Sequence, residues 1–307
     1  MQGTIAEVIP NDFCPTTNLS MTKNSKSSLL RYEELPEWAT QFAHPFIRTG
    51  YRRCPCNSTG TCARSVLKWH NESMNIWTHL VPGSLYLLYA VWGLSSGMDV
   101  GTLVMAVCCF FGFIASSLFH TMVCHSESMA KLCVRIDLLG VVLSLTGVCA
   151  SIIFHLEACQ PQRRGRTFQL LGTAVAVLAF TCSRKEFAHR RWRHVKPLPF
   201  VALGGALLYP MAVWAMDDSC GAVAQREKLP VVRYLALGWS LDFAAVFAFM
   251  WRVPERWIPG AFDYLGNSHN IFHVLVVCAS ICGLAAGQLA RQGNWCVCAP
   301  ESESGLS

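Results

Sequence analysis

Long apolar runs separated by short polar segments dominate the chain from about residue 75 onward. A membrane-spanning helix needs roughly 20 mostly apolar residues, and seven runs come near that length. Several runs contain Gly and Pro, which bundled membrane helices tolerate. The pattern predicts an all-α membrane protein with seven transmembrane helices, placed at residues 75–95, 100–121, 135–156, 167–183, 198–216, 232–251 and 270–290.

The remaining polar segments suggest how the rest of the chain is organised. Residues 1–32 are rich in Ser, Thr, Asn and Lys without periodicity, which predicts a disordered cytoplasmic tail. Residues 33–70 interleave aromatic and charged side chains, so we expect a juxtamembrane segment on the membrane surface or against the bundle end, with an ordinary linker as the alternative. The transmembrane domain is then residues 71–290, followed by a tail at 291–307 on the other side.

Composition supports a membrane protein over a soluble one. Only 14% of the residues are charged and 52% are hydrophobic, whereas a soluble domain carries about 25% charged residues. The start of the chain lacks a charged stretch followed by an apolar run and a small-residue cleavage site, so no cleaved signal peptide is expected. We expect no nucleic-acid partner.

The distribution of basic residues predicts the orientation of the bundle. Lys and Arg number eight in residues 1–70 and six in residues 184–196, and the loop at 96–99 has none. Because basic residues favour the cytoplasmic side, the amino terminus is predicted to be cytoplasmic and the carboxyl terminus extracellular or lumenal. The basic loop also suits contact with anionic lipid. This orientation is opposite to that of ordinary seven-helix G-protein-coupled receptors.

Four ionisable side chains share one end of this predicted arrangement. His120 ends the second span, Asp137 lies near the start of the third, and His269 and His273 begin the last. The two last-named residues are four apart, so one helical face carries both imidazoles. Ionisable groups in membrane-spanning segments are costly and are usually retained for function.

Three imidazoles with one open position make the catalytic type of tetrahedral zinc site. Asp137 is then either a fourth ligand or a general base acting on zinc-bound water, whose pKa zinc lowers to about 7. Ser116, one turn before His120, would orient a ligand or stabilise an oxyanion. The alternative is that the histidines are hydrogen-bonded packing residues, since spacing does not reveal which helices are adjacent.

A second polar group lies at the first predicted helix, where Glu72, Asn75 and His79 share one face. The favoured interpretation is a helix cap with polar contacts between helices, and the alternative is a role at the mouth of the site.

Cys54, Cys56 and Cys62 form a loose cluster whose spacing fits no standard zinc module. Reduced thiols or lipidation are therefore favoured over a metal site for these cysteines.

Ordered motifs resemble the progestin and adipoQ receptor family, namely Gly50-Tyr51-Arg52, Asn71-Glu-x-x-Asn-Ile-Trp-Thr-His79, Ser116-x-x-Phe-His120-Thr-x-x-Cys-His-Ser126, Asp137, Val253-Pro-Glu-Arg256 and Ser268-His-Asn-Ile-Phe-His273. The residues at 119–126 resemble the adiponectin-receptor branch. Residues 262–269 and Cys159-Gln-Pro161 are similar to the Golgi-associated member four. The sequence departs from the family at Asn270, where Gln is usual.

This resemblance implies seven helices, a cytoplasmic amino terminus and zinc near the cytoplasmic face. The motifs imply His120, His269 and His273 as the zinc ligands, Asp137 as a contact through water, and Ser116 as the motif serine. The family is also related to alkaline ceramidases, which implies hydrolysis of the amide of a ceramide-like lipid.

Three functions fit these expectations. The first is a receptor-type membrane protein that hydrolyses a lipid amide with zinc. The second is a hormone or steroid receptor in which zinc is structural. The third is a Golgi membrane tether that holds a soluble signalling partner through residues 1–70. The plasma membrane and the Golgi are the expected locations.

The predicted orientation decides whether three Asn-x-Ser/Thr sites can be N-glycosylated, namely those at Asn18, Asn57 and Asn71. Because all three would lie on the cytoplasmic side, we expect none to carry an N-glycan. The measurement is the electrophoretic mobility of the protein from mammalian cells before and after glycosidase treatment. A mobility shift that disappears when one of these asparagines is changed to Gln would show that the predicted orientation is wrong.

Overall fold

The computed structural model describes residues 29–188, 195, 197–206, 208–216 and 221–293. Residues 1–28 of the predicted disordered tail, residues 189–194 of the basic stretch and the end of the chain from 294 lie outside the described residues. Strand β1 begins at Leu29, within the range that the sequence assigned to the tail.

The described residues are mostly helical. Strands β1 (Leu29–Leu30) and β2 (Tyr51–Arg52) pair antiparallel, with Leu29 opposite Arg52. The helices are α1 (Glu37–Thr40), α2 (Thr59–Ser65), α3 (Ser73–Ser96), α4 (Val100–Met122), α5 (Glu127–Leu156), α6 (Pro161–Ser183), α7 (Lys185–Ala188), α8 (Pro197–Gly205), α9 (Leu208–Ala215), α10 (Gly221–Trp251) and α11 (Ser268–Gln292).

Six candidate membrane spans are present in the described part of the chain: α4, α5, α6, α8 with α9, the part of α10 from Lys228, and α11. They confirm a multi-pass, mostly helical membrane protein. Helix α3 coincides with the first predicted span but lies outside this set, because polar and aromatic positions such as His79, Ser84 and Tyr86 lower its mean hydropathy. Seven spans and the orientation therefore stay predictions.

Helix α5 begins well before the apolar run that predicted it. Ser126 caps the helix by accepting a hydrogen bond from the Met129 N–H, and Lys131 pairs with Glu127 one turn away. A cap and a pair spaced by four residues stabilise polar helical turns. Asp137 consequently lies about three turns into α5, deeper than the start of a helix at 135 implied.

Helix α11 is the centre of the bundle, because it contacts α3, α4, α5 and α10. Helix α4 in turn packs between α3 and α5. Buried apolar side chains from α3, α4 and α11 form one core cluster, composed of Tyr86, Ala90, Met105, Ala106, Cys109, Phe113 and Val277. On the outside, Leu170 and Phe180 of α6 are 73% and 67% exposed, as a lipid-facing surface requires.

Helices α4 and α5 approach closely at Gly112 and Gly140. A Cβ added at Gly140 would lie 2.8 Å from the Ala115 Cβ and 3.1 Å from the Gly112 carbonyl oxygen. Small residues permit such close approach between membrane helices. Ser116 lies one turn after Gly112 and Asp137 lies one turn before Gly140, so the close contact also brings these two side chains together.

The segment before α3 folds over one end of the bundle. The Arg52 guanidinium donates hydrogen bonds to the carbonyl oxygens of His120 and Thr121 at the end of α4. The Asp263 carboxylate accepts from the N–H groups of Arg48 and Thr49 at 2.8 and 2.9 Å. The juxtamembrane segment thus lies against the bundle end that carries His120.

Gly140→Ala tests the close contact between α4 and α5. Because the added methyl would meet backbone, we expect a loss of about 1–3 kcal/mol in stability, typical of overpacking. The measurement is the thermal unfolding midpoint in detergent.

Gly172→Ala is the matched control, since a Cβ there meets nothing within 4 Å. This control should keep or raise the midpoint, because Ala is favoured over Gly in a helix by about 1 kcal/mol. Equal midpoints for the two variants would contradict the close approach.

Candidate metal centre

Three histidines from two helices meet at the covered end of the bundle. His120 lies in the last turn of α4, and His269 and His273 lie in the first two turns of α11. The Nε2 atoms of His120 and His269 are 3.2 Å apart, and one ligand atom from each histidine lies within 4.8 Å of the others. His120 and His273 are 3% and 1% exposed. The structure thus brings the three predicted ligands together in a buried site.

Hydrogen bonds to the far ring nitrogens orient two of these imidazoles. His120 Nδ1 lies 2.8 Å from the Glu72 carboxylate, and His273 Nδ1 lies 3.1 Å from the Asn75 carbonyl oxygen. Because both partners only accept, Nδ1 carries the proton in each ring and Nε2 keeps its lone pair. Carboxylates and backbone carbonyls are the usual partners of metal-ligating histidines.

The separation of the nitrogens fits a tetrahedral metal site. Zinc–nitrogen bonds of about 2.0–2.1 Å place two ligand nitrogens roughly 3.3–3.4 Å apart, close to the 3.2 Å between His120 and His269. The donor set therefore fits zinc with one coordination position left open.

Two caps hold the start of α11 in place. The Asn267 side chain accepts hydrogen bonds from the N–H groups of His269 and Asn270. The buried Glu255 carboxylate accepts from the Ser268 N–H at 2.7 Å and from the Ser268 hydroxyl. These bonds satisfy helix N–H groups that have no partner within the helix, and they fix the turn that carries His269.

Glu72 connects the histidines to a chain of amides. Its carboxylate also accepts from Asn75 Nδ2 at 2.7 Å, and Asn75 Oδ1 accepts from Asn270 Nδ2 at 2.7 Å. Burial alone would raise the pKa of Glu72, but the hydrogen bonds from His120 and Asn75 lower it to about 2. Glu72 occupies the N-cap position of α3 without a side-chain cap hydrogen bond. Its carboxylate therefore orients His120 instead of capping the helix.

His79 lies behind the histidine cluster and not at its mouth. Its ring stacks on His273 with centroids 3.7 Å apart and planes 4° from parallel, and it also contacts Phe113. Neither of its ring nitrogens has a hydrogen-bond partner within the described part of the chain. His79 thus restricts the orientation of His273 by packing.

Asp137 shares a cavity with two of the histidines. The cavity has a volume of about 240 Å³, and Asp137, His120 and His269 all line it. Ser116 is buried, is absent from this lining and interacts with the Asp137 carboxylate. Ser116 is therefore placed to orient Asp137 and not to contact a molecule in the cavity.

The cavity lining combines many polar side chains with a smaller number of apolar ones. The polar side chains are Gln41, His44, Asn71, Glu72, Asn75, Arg252, Glu255, Asn267 and Ser268, together with His120, His269 and Asp137. The apolar side chains include Phe42, Ile47, Phe119, Val123, Val134, Leu138 and Phe249. Polar groups set among apolar side chains are typical of sites for small molecules.

Cys124 joins the predicted cysteine cluster, although its sequence position did not indicate this. Cys62 Sγ lies 3.2 Å from Cys56 Sγ and 3.7 Å from Cys124 Sγ. Cys54 is half-buried and packs against this group. Because 62 residues separate Cys62 from Cys124, local spacing could not reveal the third thiol, although Cys124 stands in the Cys-His-Ser motif.

Comparison with known proteins places these residues in a family context. The sequence profile described as haemolysin-III related matches residues 67–284, a range that contains Glu72 and the three histidines. The ADIPOR-like receptor IZH1 of Eremothecium gossypii is 30% identical over 93% of this chain and 91% of its own length.

Two further relatives come from animals. The adiponectin receptor protein of Drosophila melanogaster is 28% identical over 81% of this chain and 56% of its own length. Progestin and adipoQ receptor family member 3 of Mus musculus is 26% identical over 81% of each chain. The similarity to member four stays a prediction.

His273→Ala tests whether the three histidines hold a metal. The variant should lose about one zinc ion per chain relative to the wild type, because two imidazoles do not complete the site. The measurement is elemental analysis of protein purified by gel filtration in detergent. His125→Ala, in the loop after α4, is the control and should keep the wild-type content. Unchanged zinc content in His273→Ala would indicate that the histidines are packing residues and not metal ligands.

Proposed function

The chain belongs to the haemolysin-III-related family and within it to the progestin and adipoQ receptor proteins, and on that premise we propose that it is a zinc-containing seven-helix membrane protein that hydrolyses the amide of a ceramide-like lipid. The observation that carries this proposal is the position of Asp137 beside His120 and His269 in one cavity.

The histidines would supply the metal-binding part of the chemistry. His120, His269 and His273 would hold a zinc ion, which would supply Lewis-acid chemistry beside Asp137. Glu72 and the Asn75 carbonyl keep the first and last of these rings in the tautomer that binds a metal.

Asp137 would act as the general base. It takes a proton from water as the water oxygen bonds to the amide carbonyl carbon, and it returns that proton to the nitrogen as the carbon–nitrogen bond breaks. The products are a carboxylic acid and a free amine. Ser116 supports this role, because its hydroxyl interacts with the carboxylate from the neighbouring helix.

The cavity suits the polar part of a lipid better than the whole molecule. A volume of about 240 Å³ is small beside the roughly 300–1,000 Å³ of pockets for drug-sized ligands. The amide and headgroup would therefore occupy the cavity, and the hydrocarbon chains would extend into the bilayer.

We place the histidine end of the bundle at the cytoplasmic side. Cys159, which follows α5 at the opposite end, is disulfide-bonded, whereas Cys54, Cys56, Cys62 and Cys124 near the histidines are free thiols. Disulfides persist outside the cytosol and are rare within it. This distribution supports the orientation that the basic loops predict.

A second candidate is a hormone or steroid receptor in which zinc is structural. The names of two relatives, ADIPOR-like receptor and adiponectin receptor protein, favour it. A tether acting through residues 1–70 stays a prediction, as does the choice between plasma membrane and Golgi.

Asp137→Asn separates these candidates. We expect it to lower ceramide hydrolysis by about 10²–10⁴-fold, the range that general acid–base catalysis supplies, while zinc content stays at the wild-type value. The measurement is release of fatty acid from ceramide in mixed micelles by the purified protein. Asp242→Asn, in α10 and outside the cavity lining, is the matched control and should keep full turnover.

Zinc-loaded wild-type protein that never releases fatty acid from ceramide would contradict the proposed hydrolase activity. Saturable binding of a steroid or protein hormone by that same protein would then establish the receptor.

A further inference from the structure

Three cysteine side chains converge at the covered end of the bundle, outside the histidine centre. Cys56, Cys62 and Cys124 each offer one sulfur, and the three sulfurs lie within 4.8 Å of one another. Cys62 and Cys124 are 1% and 7% exposed, and Cys56 is half-buried. None of the three is disulfide-bonded.

The fold positions these cysteines through backbone contacts. The Cys56 N–H donates to the Cys124 carbonyl oxygen at 3.1 Å, and the Asn57 N–H donates to the His125 carbonyl oxygen at 3.0 Å. Ser58 then caps α2 by accepting from the Thr61 N–H, which places Cys62 in the first turns of that helix. The loop before α2 is thereby held against the end of α4.

We propose that Cys56, Cys62 and Cys124 form a second metal site, which binds a thiophilic divalent cation of the zinc type. Zinc–sulfur bonds of about 2.3 Å place two ligand sulfurs about 3.8 Å apart in a tetrahedral site. Cys62 and Cys124 already stand 3.7 Å apart. Cys56 and Cys62, at 3.2 Å, need to separate by about half an ångström to reach the same spacing.

The surroundings favour a metal-bound thiolate set over three buried thiols. Thiols are weak hydrogen-bond donors and acceptors, so their burial against one another gains little. The Arg52 guanidinium lies beside the cluster, since it hydrogen-bonds to Ser65 Oγ, which donates to the Cys62 carbonyl oxygen. Its positive charge partly balances the negative charge of thiolate ligands. Cys54, packed against the same group, or a water would complete the coordination.

Such a site would be structural. It would join the loop at 54–58 and α2 to the end of α4, the helix that carries His120. Because its ligands are separate from the histidines and Asp137, the thiol site does not depend on the proposed hydrolysis.

Cobalt substitution tests the thiol site separately from the histidine centre. The full-length protein is purified in detergent under anaerobic, reducing conditions, stripped with a chelator and titrated with Co²⁺. Thiolate ligands give a charge-transfer absorption in the near ultraviolet that histidine ligands do not give. We expect the wild type to bind about two Co²⁺ ions per chain and to show this absorption.

Variants then assign each ion to its site. Cys62→Ser should lose the charge-transfer absorption and about one ion while keeping the ion at the histidines, which also reports that the variant is folded. His273→Ala should show the reverse. Cys278→Ser, exposed on α11, is the matched control and should behave as the wild type. If Cys62→Ser loses both ions, Cys56→Ser is used instead, because Cys56 is only half-buried.

Two results would overturn the thiol site. One is a wild type that loads the histidine centre but shows no thiolate absorption. The other is a disulfide among the three cysteines, identified by mass spectrometry in protein purified anaerobically without reductant. Failure of ceramide hydrolysis alone would leave these readouts unchanged.

Discussion

The hydrogen bond between the Glu72 carboxylate and His120 Nδ1 is the contact on which the end of the bundle depends. It joins the start of α3 to the end of α4 and leaves His120 Nε2 free to face His269. Removing one partner of a buried hydrogen bond leaves the other group unsatisfied at a cost of about 1–3 kcal/mol, and more for a charged group such as this carboxylate. Asn75 and Asn270 extend the same network to α11, so one carboxylate connects α3 with the two helices that carry the histidines.

This polar network exists only because the helices around it pack closely. Gly112 and Gly140 let the backbones of α4 and α5 meet, and a Cβ at Gly283 of α11 would lie 3.1 Å from the Val148 side chain of α5. Buried polar groups in an apolar bundle need partners at hydrogen-bond distance. Small residues let the backbones come that near, and the network in turn fixes how the helices are aligned.

Arg52 gives the bundle end its second link. Its guanidinium binds the His120 and Thr121 carbonyl oxygens on one side and Ser65 on the other. The histidine cluster and the thiol cluster are thus neighbours across a single side chain. The segment before α3 completes the cavity wall through Phe42 and Ile47, so what precedes the membrane domain shapes the candidate site directly.

The sequence by itself determined the apolar helices and the end of the bundle at which His120, His269 and His273 lie. Hydropathy depends on how favourably each local stretch of chain transfers into lipid. Because successive spans cross the membrane in opposite directions, the order of the spans then predicts which helix ends lie on the same side. The same local signal missed the start of α5, because a capped polar turn extends that helix beyond its apolar run.

Tertiary structure alone decided the contacts between distant residues. Glu72 and His120 are 48 positions apart, and Cys62 and Cys124 are 62 apart. Sequence periodicity describes one helix at a time, whereas these pairs depend on which helices pack side by side and on how closely glycines let them approach. For that reason the role of Glu72 and the third thiol emerged only from the packed bundle.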